Sequence, residues 1–173
     1  NLLLSPVLSR LSDSQSKEGK MAANQASLMF VHRLVTNFYG NGQHDSARKV
    51  LEEYGGKDFL EEVESQVEDE VAKNMLANLS FIWWRVSGDV SARERALTIW
   101  TTMANCGGEL GLHATHMLGY IALANAATPK AEIRERIAQL RVVRQQTTDV
   151  KRADRMADLA QKLGEQFWRC KKE

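Results

Sequence analysis

The chain has 173 residues, 43% hydrophobic and 26% charged, with a net charge of +1, two prolines and two cysteines. That length provides one compact domain or a short array of repeats, and the balance excludes a disordered chain or a strong global pull toward nucleic acid or membranes. Cys106 and Cys170 make no disulfide framework and fit free thiols in a reducing intracellular compartment, cytoplasm or organelle matrix. No apolar run approaches the roughly 20 residues a membrane span needs, so no membrane is expected. The opening NLLLSPVLSRL is short and lacks the basic lead and small-residue cleavage site of a signal peptide. With no initial Met, the chain is expected to be a fragment or processed piece of something longer.

Strand alternation is nearly absent and helical periodicity runs through the chain. Pro6 is expected to open a short first helix, and SDSQSKEG reads as a polar link, so residues 1–19 form an N-terminal lead. A helix over about 20–39 carries Leu28, Val31, Leu34, Val35 and Phe38 on one face, and the GNG that follows stops it. Asp45 or Ser46 is expected to cap a short helix ending at Gly55-Gly56. A helical stretch over about 58–86, as one helix or as two broken near Glu68-Asp69, has the stripe Leu60, Val63, Val67 and Val71. Ser91 with Glu94 makes a capping box for a helix carrying Leu97, Trp100 and Met103, ended by Gly107-Gly108. The next helix covers about 109–125. Thr128-Pro129 then supplies an N-cap and a first-turn proline. A last amphipathic helix, from about 149 to 171, spaces Met156, Leu159, Leu163 and Phe167.

Displaced by 45 residues, the chain matches itself: Leu34 falls on Leu79, Phe38 on Trp83, Ala47 on Ala92, Leu51 on Ala96, Tyr54 on Ile99, and the triplet Ser46-Ala47-Arg48 on Ser91-Ala92-Arg93. Large residues on one helix facing a small one on the next describe a helical hairpin, and a hairpin with an exposed apolar face stacks on another. A third unit, with Leu118 and Ala122 before the turn and Ala131 and Ala138 after it, needs a different offset. Amphipathic helices in a non-repetitive bundle are the plainer account of the same residues.

The stretch LVTNFYGNGQHDSARKVLEEY resembles the tetratricopeptide-like family of helical repeats, with Leu, an aromatic, a turn Gly, Ala and a large apolar residue in order. It departs in its longer period, the family's being about 34 residues, and in lacking the helix-ending Pro between units. ALTIWTTMANCGG with ATHMLGYIALAN is similar to the related pentatricopeptide repeats, which bind RNA. The resemblance implies an all-α fold of stacked antiparallel helical hairpins, a short α-solenoid over residues 20–147, followed by a C-terminal amphipathic helix over 148–173 packing on the array or on a partner. It also implies an inner groove that holds extended peptides, with matching positions His32, Thr36, Tyr39, Ala77, Phe81, Trp84 and Arg85.

The adjacent Trp83 and Trp84 bear on that groove, because neighbouring helix positions point about 100° apart and one stripe cannot easily bury both. Trp83 matches the core position, leaving Trp84 toward the groove unless a further helix covers it. Cys106, Glu109, His113 and His116 form the one cluster of metal-capable side chains, but lack the closer ligand pairs a zinc site uses; packing is the alternative, and no metal or other cofactor is expected. A Cys106 thiol nucleophile has no flanking signature, and GNGQHD and GGELG fail the phosphate-binding patterns, so no catalytic residue is assigned and no enzyme expected. Acids dominate residues 45–70, whereas Arg134, Arg141, Arg144, Lys151, Arg152 and Arg155 offer a basic face to solvent, to an acidic partner or to a phosphate backbone. The resulting expectation is a non-catalytic scaffold or adaptor that binds a protein or peptide. The alternatives are a pentatricopeptide-like RNA binder and a structural subunit docking by its C-terminal helix.

Overall fold

The computed structural model describes residues 17–169, with side chains from residue 25. Among the described residues it is all-helical: α1 (Lys17–Gly40), α2 (His44–Glu53), α3 (Lys57–Glu64), α4 (Glu70–Ser87), α5 (Val90–Cys106), α6 (Gly108–Ala124), α7 (Lys130–Gln146) and α8 (Val150–Arg169). The short helix expected at Pro6, and Cys170, lie outside the described residues. No described helix is long and apolar enough to cross a membrane. The chain divides between Ala96 and Leu97, inside α5, into two compact units.

In the first unit α1 buries Leu28, Val31 and Val35 completely, one residue every three or four along the helix. Gly42, at φ 75°, reverses the chain, and the amides of Asn41, Gly42 and Gln43 return to carbonyls of Asn37, Tyr39 and Phe38. α2 then packs back on α1. Ala47 and Ala92, the small residues of the repeated phrase, are both fully buried, as are their companions Leu51 and Ala96. The helices α1 and α2 form one packed pair, and α4 packs against both. Between the two copies of the phrase stands α3, which buries Leu60 and Val63 and packs on α4.

Four local expectations are corrected. α2 begins at His44 with Gln43 in the capping position and no side-chain cap, so Asp45 lies inside the first turn, where its charge faces the positive helix end. The break between α3 and α4 runs over residues 65–69, so Val71 leaves the stripe and is 51% exposed. Asp69 caps α4, its carboxylate accepting from the Ala72 amide at 3.0 Å. At α5 the cap is Asp89, not Ser91: the Ser91 amide and hydroxyl both donate to Asp89 Oδ1, at 2.9 and 2.7 Å, and Glu94 pairs with Arg93 instead. Thr128, finally, points back rather than forward. Its hydroxyl lies within reach of the Ala122 and Asn125 carbonyls of the preceding turn, at 2.9 and 2.8 Å, and α7 starts at Lys130 behind Pro129.

The second unit is built on α6, α7 and α8, which share one core of Ala122, Ile133, Leu140, Val143, Met156, Leu159 and Leu163. Asp149 caps α8 by accepting from the Lys151 and Arg152 amides. Gly107 and Gly108, both near φ 70°, turn α5 into α6. A side chain on Gly111 would sit 3.1 Å from the Met103 carbonyl, so that glycine lets the end of α5 lie against α6. Gly119 does the same in the core, where an added Cβ would meet Leu159 Cδ2 at 2.8 Å and Leu140 Cδ1 at 3.2 Å. By contrast, a Cβ on Gly164 of α8 would meet nothing within 4 Å. Gly119→Val is therefore expected to cost about 1–3 kcal/mol by overpacking, while Gly164→Ala should stabilise by about 0.5–1 kcal/mol through its lower chain entropy when unfolded. Urea denaturation of the two variants, read as a change in midpoint, checks both signs.

Candidate functional site

A row of aromatic rings crosses the first unit. Tyr39, in the last turn of α1, stacks on His44 of α2 at 4.6 Å between ring centroids with planes 16° apart. The edge of Tyr39 meets Phe81 of α4 at 6.3 Å, and Phe81 meets Trp84 at 6.0 Å. Phe81 is buried, whereas Tyr39 and Trp84 are partly open and His44 is exposed. Two guanidinium groups flank the Trp84 ring: Arg85 at 5.6 Å and Arg93, from α5, at 5.7 Å from its centroid. Such contacts contribute about 0.5–1 kcal/mol each at partly exposed sites.

Trp83, expected at a core position, is instead only partly buried, as Trp84 is, because its ring lies toward a glycine turn and a partly exposed cap rather than into the core. The Trp83 indole N–H donates to Asp89 Oδ2 at 3.2 Å, and the ring lies 3.2 Å from where a Cβ of Gly56 would be. Gly56, at φ 56°, is thus required twice, for its backbone conformation and for the ring it leaves room for. Burial would raise the Asp89 carboxyl, but hydrogen bonds from Ser91, Trp83 and the Ala92 amide outweigh it and hold the group below its ordinary value.

The other groove positions are placed as follows. His32 is partly buried with Nε2 3.3 Å from Asn78 Nδ2, and burial lowers its pKa. Thr36 donates its hydroxyl to the His32 carbonyl at 2.6 Å, so its polar end serves its own helix. Ala77 is fully enclosed and offers no surface to a ligand. Arg93 and His44 were not among the expected positions. Arg93 does stand in the repeated Ser-Ala-Arg triplet, but its counterpart Arg48 only pairs with Glu52 on the surface, so the repeat alone gives no reason to single it out.

The expected basic face is divided among several local roles. Arg134 lies over the Phe167 ring at 4.9 Å. Arg152 is paired with Glu109 at 2.6 Å. Arg141 and Arg144 are exposed on α7, and Lys151 and Arg155 on the first turns of α8. Of the Cys106, Glu109, His113 and His116 cluster, the two histidines pack against aromatic rings while Cys106 and Glu109 are exposed. Glu109 turns to Arg152, His113 meets the buried Trp100 edge-on at 6.4 Å, and His116 lies against Tyr120 at 4.9 Å. Among the described residues no three His, Cys, Asp or Glu stand close enough to hold a metal ion.

Comparison with protein-family models, with curated proteins and with solved structures gives no match. The resemblance to tetratricopeptide-like repeats therefore rests on the residues themselves.

His116 is 9% exposed, and its Nε2 has no hydrogen-bond partner among the described residues. Burial first, then the positive His113, Arg155 and Arg152, lower its pKa from 6.5 to about 4. The unfolded chain takes up this proton near 6.5 while the folded chain refuses it until about 4, so stability is lost as pH falls through that window. His116→Gln should remove roughly 2 kcal/mol of the stability difference between about pH 7 and about pH 4. Denaturant midpoints of both proteins across that range measure it.

Proposed function

We propose that this chain is a non-catalytic interaction domain, a tetratricopeptide-like scaffold or adaptor that holds a segment of a partner protein against the α1–α4 face of its first unit. The observation that carries the reading is Trp84: a partly open indole, propped from beneath by Phe81 and flanked by two guanidinium groups. Trp, Tyr and Arg are the residue types that dominate binding energy where a buried rim excludes water. Tyr39 and Trp84 supply apolar area at little entropic cost because packing has already chosen their rotamers, and Arg85 and Arg93 supply donors beside it. Every one of these side chains sits on a helix, so the surface is ordered before a partner arrives.

Docking by α8 through its apolar stripe is less well supported, because Met156, Leu159 and Leu163 are already committed to the core with α6 and α7. The test is a displayed library of random peptides selected on the full chain, followed by titration of the selected peptides. Trp84→Ala is expected to weaken them at least about tenfold, or about 1.4 kcal/mol, with the melting temperature within a few degrees of the parent. A steep fall in melting temperature would show that Trp84 is structural and remove the reading, as would selected peptides that ignore the substitution.

A further inference from the structure

One side of α1 is apolar and still open to water. Met29 and Phe30, 57% and 37% exposed, are the one adjacent pair among the described large apolar residues that are exposed. Phe30 meets Tyr54 at 6.5 Å, and Tyr54 meets Phe59 at 5.9 Å, so the partly open surface continues past the end of α2 onto α3. Phe30, Arg33, Leu34 and Asn37 line an open cavity of about 500 Å³ beside it. Helical spacing turns this side away from Leu28, Val31 and Val35, which are fully buried, and from His32 and Tyr39, which face α4. Neither the core nor the Trp84 surface uses it. A set of packed helices that ends on an apolar side leaves that side to be covered.

The chain just before α1 has the matching composition. Residues 1–11, NLLLSPVLSRL, hold six large apolar side chains: Leu2, Leu3, Leu4, Val7, Leu8 and Leu11. Four of them, from Leu4 to Leu11, recur at helical intervals. The link to α1, SDSQS, is five residues with no apolar one, a usual length for joining antiparallel helices. Residues 2–11 would span about 15 Å as a helix and about 33 Å extended, and Phe30 stands about 20 Å along α1 from Lys17. A return along α1 therefore carries Leu2, Leu3 and Leu4 to Met29 and Phe30. Arg10, the only charged side chain in residues 1–12, then comes near the level of Glu18, its opposite in sign. A short tether also holds the segment at about millimolar effective concentration, which a separate partner would have to overcome.

We infer that residues 1–11 fold back over the open side of α1 and cover Met29 and Phe30 with Leu2, Leu3 and Leu4. The chain thus caps its own first unit and closes this side to partners. The Trp84 surface, on the α4 side of α1, stays open.

Met29 makes the contact measurable. Dilute peroxide converts an accessible Met to its sulfoxide, and the buried Met103 and Met156 report unfolding in the same sample. In the full chain, mass spectrometry should find Met29 oxidised about as slowly as Met103. Leu3→Asp with Leu4→Asp should speed Met29 at least about tenfold while Met103 and Met156 keep their rates. Should those two accelerate as well, a disulfide pairing that removes no fold-critical group decides. With Cys106→Ser and Cys170→Ser as background, Leu3→Cys should pair with Phe30→Cys within one chain under mild oxidation. It should not pair with Ser87→Cys, at the far end of α4. Free oxidation of Met29 in the parent overturns the inference, as does a Met29 rate that ignores the Leu3 and Leu4 substitutions. Equal pairing with both cysteine positions overturns it too. So does Met29 protection that fades on dilution or a disulfide between two chains, since a second copy would then be the cover.

Discussion

Two tryptophans side by side on one helix cannot share a face, and the first unit is organised around how that conflict is resolved. Asp89 settles it. Its carboxylate accepts from the Trp83 indole, from the Ser91 amide and from the Ser91 hydroxyl, so one side chain both caps α5 and fixes the Trp83 ring over Gly56. Trp84, roughly 100° further round the helix, meets Phe81 and has Arg93 beside its ring. A hydrogen bond to an ionised acceptor contributes about 1.5–3 kcal/mol, comparable to the cost of leaving an indole N–H partly buried without a partner.

The second constraint is distance between helices. Ala47 and Ala92 in the first unit are fully buried, and Gly111 and Gly119 in the second stand where an added Cβ would meet a neighbouring helix. Each lacks a side chain that would push a helix outward, and the larger residues around it then reach the same core. Gly164 looks similar in sequence but has the opposite meaning, since nothing lies above it. Small residues inside a core record a helix that is present.

Many charged side chains pair within a helix or with a neighbouring one and say little about partners. Glu109 and Arg152, 43 residues apart, neutralise each other at 2.6 Å and remove two residues that a reading by composition would assign to chemistry or to ligand binding. Two arginines matter for the candidate site by their position: Arg85 and Arg93 lie 5.6 and 5.7 Å from the centroid of the Trp84 ring. That place joins guanidinium groups to a partly exposed aromatic ring, residue types enriched where polypeptides bind one another.

Periodicity and punctuation were enough to read an all-α fold, the glycine stops at residues 42, 55, 56, 107 and 108, and the buried sides of α1, α5 and α8, because these depend on residues a few positions apart. The caps at α2, α5 and α7 were misread for a related reason: Asp89 competed successfully with Ser91, and Thr128 found carbonyls behind it, choices decided by a single turn of backbone that residue types do not distinguish. Of the candidate site, Trp84 and Tyr39 were legible from the tryptophan pair and the repeated phrase, whereas the enclosure of Ala77 and the approach of Arg93 were not. The sequence by itself determined which segments are helical and which residues are apolar on each. Only the tertiary structure decided which charged residues pair across the chain, as Arg152 does with Glu109, and which glycines face a neighbour, because those outcomes depend on groups distant in the chain meeting in space.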